Sequence, residues 1–140
     1  KLNHIDEQFI DIKSSNKENW IQNYGEGIKL SKETGKPIFI DFTGYTCTNC
    51  RWMEINVFVD KEVKELFSNF ILIKLFTDGG PNRKEYQQME IDRYGTSALP
   101  FYVVLNSDEK ELSRFHGMDT DINKFIKFLE SSLNKFYIKS

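Results

Sequence analysis

The segment Pro-Ile-Phe-Ile-Asp-Phe, residues 37–42, leaves this chain few ways to fold. Nearly every position is apolar, and most are β-branched or aromatic, which favours a strand buried on both faces. Strands of this kind are usually central and parallel in their sheet. The segment therefore predicts an α/β fold with this strand near the centre.

The chain before this segment predicts one strand and one helix. From Phe9 onward, Ile10 and Ile12 alternate with Asp11 and Lys13, which indicates a short half-buried strand. A helix is predicted at about 16–34, because Ser15 and Glu18 have the spacing of a capping box. Apolar residues follow at helical spacing, namely Trp20, Tyr24 and Ile28.

After the central strand, predicted helices and strands alternate along the chain. A helix is predicted from Cys47 onward, bent near Val59, with Asp60 as the cap of its second part. The remaining predicted elements are a strand at 70–77, a helix at about 83–94, a hairpin of strands at 100–105 and 111–115, and a helix at about 120–137. The predicted order is β-α-β-α-β-α-β-β-α.

The length of 140 residues predicts a single domain over 1–140, with an ordered core from about 9 to 137. The net charge is −2, from 19 basic and 21 acidic residues without a long run of one sign. Partners are therefore expected to be proteins or small molecules and not nucleic acid. No apolar run approaches the about 20 residues of a membrane-spanning helix. Because the chain begins at Lys1 and not at Met, we expect it to be a processed or excised piece of a larger protein.

The two cysteines, Cys47 and Cys50, have C-x-x-C spacing at the start of a predicted helix. A structural zinc site needs four ligands, and neither His4 nor His116 belongs to a motif with ligand spacing, so no metal is expected. A purely structural disulfide would close a very short loop and stabilise the fold weakly. A redox pair explains more, because the helix N-terminus favours a thiolate on Cys47 and Cys50 would be the shielded resolving thiol.

Three features occur together in the predicted element order. Asp41 lies in a buried strand six residues before Cys47, Cys47-Thr48-Asn49-Cys50 opens a helix, and Leu99-Pro100 precedes a strand about fifty residues later. In these features the chain resembles the thioredoxin family from about residue 9 to residue 136. The resemblance implies a thioredoxin fold, a central mixed β-sheet flanked by helices, here with an N-terminal β-α extension. It also implies a cis Pro100 beside a redox-active Cys47–Cys50 disulfide, and no dissociable cofactor.

A narrower resemblance rests on the residues around the cysteines. Thr46 stands where thioredoxin itself has Trp, Thr48-Asn49 replaces its Gly-Pro, and an acid, Glu54, follows the first cysteine by seven residues. With the segment from Met53 to Asp60, these residues resemble the C-terminal periplasmic domain of the DsbD family of transmembrane thiol:disulfide interchange proteins. The resemblance implies a protein-disulfide reductase that is monomeric as a domain. It would relay two electrons from a membrane-embedded donor to a periplasmic acceptor that serves disulfide repair or cytochrome maturation.

Two acids are expected to tune the cysteines. The resemblance implies that Asp41 accepts and returns the proton of Cys50 during exchange, as a general base does. Glu54 lies one helical turn after Cys50 and shares its face; the alternative is a solvated helix glutamate. Because negative neighbours disfavour a thiolate, we predict a Cys47 pKa above about 7 and a reducing couple.

Substrate contacts are predicted at Leu99 and Pro100, with Tyr45 and Met118 completing a docking rim; ordinary loop packing is the alternative for Tyr45 and Met118. Two other functions remain open. A stand-alone periplasmic thioredoxin-like reductase would share all these residues. A non-catalytic binding module would use the fold without the thiols.

Overall fold

The computed structural model describes residues 18–139, which form a five-stranded mixed sheet with helices on both faces. The strands are β1 (Trp20–Ile21), β2 (Ile38–Thr43), β3 (Ile71–Phe76), β4 (Phe101–Leu105) and β5 (Glu111–His116). The helices are α1 (Tyr24–Thr34), α2 (Thr48–Asn56), α3 (Lys61–Phe67), α4 (Arg83–Tyr94) and α5 (Ile122–Lys139). No helix within residues 18–139 is long and apolar enough to cross a membrane.

The strand order is β1-β3-β2-β4-β5, so the strand predicted to be central is central. β2 pairs in parallel with β3 and antiparallel with β4, and all six of its residues are buried. β4 and β5 form the predicted hairpin. This mixed sheet with helices on its two sides is the architecture expected from the sequence.

The start of the described chain corrects one prediction. The helix placed at 16–34 begins only at Tyr24, where the Asn23 side chain caps it by accepting the N–H of Glu26 at 2.9 Å. Trp20 instead belongs to β1, opposite Leu72 of β3. Glu18 lies before that strand and pairs with Lys64 at 3.0 Å. The strand predicted at 9–12 and the cap at Ser15 lie outside the described residues.

The predicted bend near Val59 is a break between two helices. α2 ends at Asn56, and α3 begins after Asp60, whose carboxylate accepts the N–H groups of Glu62 and Val63 at 2.9 and 3.1 Å. Asp60 is thus the cap that its position in the sequence predicted. The break fixes the length of α2, the helix that begins at the cysteines.

Alternation along β2 divides the core into two halves. Phe39 points to the face covered by α2, α3 and α5, where the buried cluster includes Met53, Val57, Phe67, Phe125 and Leu129. Ile38, Ile40 and Phe42 point to the face covered by α1 and α4. Since side chains alternate along a strand, Asp41 and Thr43 lie on the same face as Phe39, beneath α2.

α4 carries a buried acid that the sequence pattern did not predict. Tyr86 faces the core as expected, but Glu90, one turn further, is also fully buried. Neither carboxylate oxygen of Glu90 has a hydrogen-bond partner among the described residues. Burial raises the pKa of Glu90 to about 8.

Candidate functional site

Cys47 and Cys50 form a disulfide where α2 begins, with their Cα atoms 5.2 Å apart. Cys47 is the N-cap of the helix, and its Sγ accepts the backbone N–H of Cys50 at 3.1 Å. Cys47 is half-buried, whereas Cys50 is only 2% exposed. A second protein can therefore approach the sulfur of Cys47 more readily than that of Cys50.

The turn before Cys47, residues 44–46, is held by a carboxylate from another loop. Asp78, which follows β3, accepts the backbone N–H groups of Tyr45 and Thr46 at 2.8 and 3.1 Å and the Thr46 hydroxyl at 2.9 Å. These hydrogen bonds, led by that from Tyr45, hold the pKa of Asp78 below its usual range. The turn therefore has a fixed position relative to the end of β3.

Close packing supports this arrangement. A Cβ atom added to Gly44 would lie 2.8 Å from an Asp78 oxygen, and one added to Gly79 would lie 2.8 Å from the Tyr45 ring. The Tyr45 ring stacks on Phe76, with 3.9 Å between ring centroids. Glycine at 44 and 79 thus lets the turn and the loop approach each other.

Asp41, the predicted proton acceptor, is 1% exposed in β2, and its Oδ1 has no hydrogen-bond partner within the described part of the chain. Burial raises the pKa of Asp41 to about 7; the Lys74 and Arg51 cations oppose the rise and the Glu54 carboxylate adds to it. A carboxyl with this pKa exchanges a proton readily near neutral pH.

Glu54 lies one helical turn after Cys50 on α2, and its ion pairs show that it is not a freely solvated glutamate. Arg51 holds its two carboxylate oxygens with a pair of hydrogen bonds of 3.0 and 2.9 Å. The ammonium of Lys74 lies 3.9 Å from Glu54 Oε2. Lys74, which lies opposite Asp41 in the β2–β3 pairing, therefore links Glu54 to Asp41.

Three residues of this cluster were not predicted from the sequence, namely Arg51, Lys74 and Asp78. Lys74 is the charged residue within the apolar strand FILIKLFT, and it faces Asp41 in the pairing of β2 with β3. Asp78 directly follows that strand. Since the carboxyl ends of neighbouring parallel strands meet at one edge of a sheet, the position of Asp78 gave a usable signal. For Lys74 the signal was a charge inside an otherwise apolar strand.

Arg51 also contacts the turn. Its guanidinium donates to the Thr43 hydroxyl at 3.0 Å and to the carbonyl of Tyr45 at 3.2 Å. It thus connects Glu54 with the end of β2 and with the turn before Cys47.

The predicted rim residues lie on loops around this end of the sheet. The Leu99–Pro100 peptide bond is cis, as the resemblance implied. The Leu99 side chain lies near Gly44, and the N–H of Gly117 donates to the Pro100 carbonyl at 2.9 Å, which places Met118 beside this loop. Tyr45 and Met118 are 54% and 38% exposed. The Tyr45 ring lies against Phe76 and Gly79, on the side of the loop that contains Asp78.

The structure offers no metal site in residues 18–139, where no group of three or more potential ligands is gathered. His116 ends β5 with its ring centroid 5.0 Å from that of Phe101. His4 lies outside the described range.

Comparison with known proteins gives a family match. A model of the family described as thioredoxin-like matches residues 19–107. The thiol:disulfide interchange protein DsbD of Campylobacter jejuni strain RM1221 is 29% identical to this chain over 107 residues. That match covers 75% of this chain but only 18% of the relative, so the chain spans about a fifth of the length of this DsbD.

Solved structures show the same fold. A thioredoxin from Thermus thermophilus superposes with a TM-score of 0.69 at 22% identity, covering 84% of this chain and 88% of that protein. The C-terminal domain of Neisseria meningitidis DsbD in its oxidised form superposes with a TM-score of 0.62 at 19% identity, covering 81% and 99%. At these identities the likeness establishes the fold.

Proposed function

This chain belongs to the thioredoxin-like family, and we propose that it reduces disulfide bonds of other proteins, with Cys47 as the attacking thiol and Cys50 as the resolving thiol. The fold, the family and the Cys47–Cys50 pair are those of a thiol–disulfide oxidoreductase. The direction of electron transfer and the partners are the parts that we infer.

The observation that carries this proposal is the unequal exposure of the two cysteines. A thiolate attacks a disulfide sulfur only where the two can meet, and Cys47 is the more accessible of the pair. The N–H of Cys50 already points at Cys47 Sγ and would stabilise a negative charge there. Cys50 is buried beneath the helix start, where it reaches Cys47 and not a partner.

The exchange proceeds in two balanced steps. In the first, the Cys47 thiolate attacks one sulfur of the partner disulfide, that bond breaks, and the departing partner thiolate takes up a proton. In the second, Cys50 loses its proton and attacks Cys47, which restores the Cys47–Cys50 disulfide and releases the second partner thiolate. Two electrons pass from the chain to the partner.

Asp41 is the group we assign to the proton of Cys50. It lies on the β2 face that α2 covers, and its pKa of about 7 allows it to take up and release a proton near neutral pH. Because the acid is buried, water competes little for that proton. Asp41 would thus serve in the resolving step.

The charges near the helix start support a reducing direction. The three acids Asp41, Glu54 and Asp78 outnumber the two cations Arg51 and Lys74 in this cluster, and a net negative neighbourhood disfavours a thiolate. Strongly oxidising members of this class depend instead on a stabilised thiolate. A less acidic Cys47 thiol therefore favours a role for this chain as the electron donor to its partner.

For the electron source we rely on the DsbD relatives. We propose that the chain is a domain of a membrane protein on the periplasmic side of the bacterial inner membrane. There it would receive electrons from a membrane-embedded donor and pass them to a periplasmic acceptor. Resemblance to DsbD over 75% of this chain supports the proposal.

A trapping experiment tests the two cysteine roles. Reduced Cys50→Ser is mixed with insulin, whose disulfides serve as a protein substrate, and the products are separated without reductant. We expect a Cys47–insulin adduct that a thiol reagent releases, and no such adduct with the matched variant Cys47→Ser. Failure of the native chain to reduce insulin, or adducts through Cys50 alone, would refute the assignment.

A further inference from the structure

The loop after β3 contacts the reactive turn through Asp78, a residue that takes part in neither of the two proposed exchange steps. Asp78 accepts three hydrogen bonds from Tyr45 and Thr46, the two residues directly before Cys47. Both of its carboxylate oxygens are used, so the carboxylate bridges two consecutive peptide groups. An exposed acid engaged in this way acts on the geometry of the groups that donate to it more than on overall packing.

The same turn is held from its other side. Arg51 donates to the carbonyl of Tyr45, while Asp78 accepts the N–H of that residue. The loop itself is anchored, because the N–H of Thr77 donates to the carbonyl of Thr43 at 3.0 Å. The peptide groups before Cys47 therefore have little freedom to rotate.

The rate of thiol–disulfide exchange depends on the direction from which the attacking sulfur approaches, as well as on the ionisation of its thiol. The attacking sulfur must approach along the axis of the partner's S–S bond, and misplacement by about 1 Å can cost about a hundredfold in rate. Cys47 takes its backbone direction from the turn that Asp78 holds. Proteins, unlike small reagents, cannot reorient freely once they have docked.

We propose that Asp78 is a positioning residue for the exchange reaction, which fixes the Tyr45–Thr46 turn so that Cys47 Sγ is aligned with the disulfide of a docked protein. This inference rests on the proposed function. The loop from Asp78 to Asn82 thereby takes part in the selection of protein substrates, since its position determines that of the turn.

The same loop lines a groove beside the turn. The groove has a volume of about 180 Å³, and its walls include the Tyr45 and Phe76 rings and Pro81. Because Tyr45 belongs to the turn as well as to the groove, loss of the Asp78 contacts would alter both together. The test below therefore compares a protein substrate with a small reagent.

The experiment measures two rates on the reduced full chain as a function of pH. Alkylation by iodoacetamide measures the ionisation and intrinsic reactivity of Cys47. Insulin reduction depends on these properties and also on the alignment of Cys47 Sγ with the insulin disulfide. For Asp78→Ala we expect the high-pH plateau of insulin reduction to fall by about tenfold, while the alkylation plateau stays within about twofold. The alkylation midpoint should move to lower pH, because a negative neighbour is lost.

Further variants separate charge from alignment. Asp78→Asn should shift the midpoint as Asp78→Ala does but lose less of the insulin plateau, because one carbonyl acceptor remains. Thr46→Val removes one hydrogen bond without a change of charge, so it should lower the plateau without moving the midpoint. Asp92→Asn, which removes an exposed acid on α4, should change neither rate.

Equal falls in both plateaus, or no fall in either for Asp78→Ala, would overturn the positioning role. If Asp78→Ala fails to fold, as judged by circular dichroism, Thr46→Val and Asp78→Asn carry the same comparison. Failure of the proposed function is distinguishable, since the native chain would then not reduce insulin at all.

Discussion

Asp41 and Lys74 lie opposite each other in the parallel pairing of β2 with β3, so that a buried carboxyl and a largely buried ammonium share one face of the sheet. Lys74 also approaches Glu54 at 3.9 Å and the Trp20 ring at 4.9 Å from its centroid. One cation is thus divided between two acids. Each acid is less fully neutralised than it would be in a separate pair.

The first prediction concerns this shared cation. Lys74→Met should raise the pKa of Asp41 above its value of about 7, because the Lys74 charge lowers that pKa. The carboxyl carbon of Asp41 can be followed by NMR during a pH titration of the oxidised chain. Lys110→Met, at an exposed lysine of the β4–β5 connection, is the control and should leave Asp41 unchanged. A lower Asp41 pKa in Lys74→Met would contradict the arrangement.

The second prediction removes the other acid. Glu54→Gln should lower the pKa of Asp41, because the Glu54 charge raises it and because Arg51 and Lys74 lose a competing partner. With one negative group fewer, the Cys47 thiolate should form at a pH lower by about 0.5–1 unit. The midpoint of iodoacetamide alkylation measures this shift. Glu62→Gln, an exposed acid in the first turn of α3, should leave the midpoint in place; a shift to higher pH in Glu54→Gln would refute the expectation.

The third prediction tests the docking rim. Met118→Ser should lower kcat/KM for insulin reduction by about fivefold, because a partly exposed apolar side chain would be buried by the docked protein. Ile91→Ser is a matched control, since Ile91 is 41% exposed on α4 and Met118 is 38% exposed. Iodoacetamide reactivity of Cys47 should be unchanged in both. Equal losses for the two variants would show that Met118 has no specific part in docking.

Local pattern predicted much of this molecule. The apolar run of β2, the C-x-x-C pair at a helix start and the cap at Asp60 depend on residues close together in sequence, and the structure has all three. Trp20 was assigned to a helix because it lies four residues before Tyr24. Trp20 lies in a strand because it pairs with Leu72, which is far away in sequence. The spacing of nearby apolar residues cannot indicate such a pairing.

The site divides in the same way. Asp41 was named from the motif in which the chain resembles the thioredoxin family, and Glu54 was named from its spacing after Cys50 along one helix. Lys74 and Asp78 reach the site because β3 lies beside β2 in the sheet. The two strands are separated by two helices in sequence, so no local pattern shows that they are neighbours. The charge balance around Cys47 could therefore be established only from the fold, whereas the two reacting cysteines could be identified from the sequence.

The last prediction concerns stability and Glu90. The pKa values of Asp41 and Glu90 are raised from 3.8 to about 7 and from 4.5 to about 8. The folded chain thus holds protons on these two acids that the unfolded chain releases in this range, so their contribution to the free energy of unfolding decreases as the pH rises from about 4 to about 8. Glu90→Gln removes one of these titrations and should be more stable than the native chain at pH 8 by about 1–3 kcal/mol.

Urea denaturation of the oxidised chain at several pH values measures this difference. Because Asp41 is present in both proteins, its contribution cancels, and the difference between the two stability curves should grow with pH between about 5 and 8. Glu33→Gln, at an exposed acid near the end of α1, should give a curve parallel to that of the native chain. Parallel curves for Glu90→Gln and the native chain would mean that Glu90 is already ionised in the folded protein, which its burial without a partner argues against.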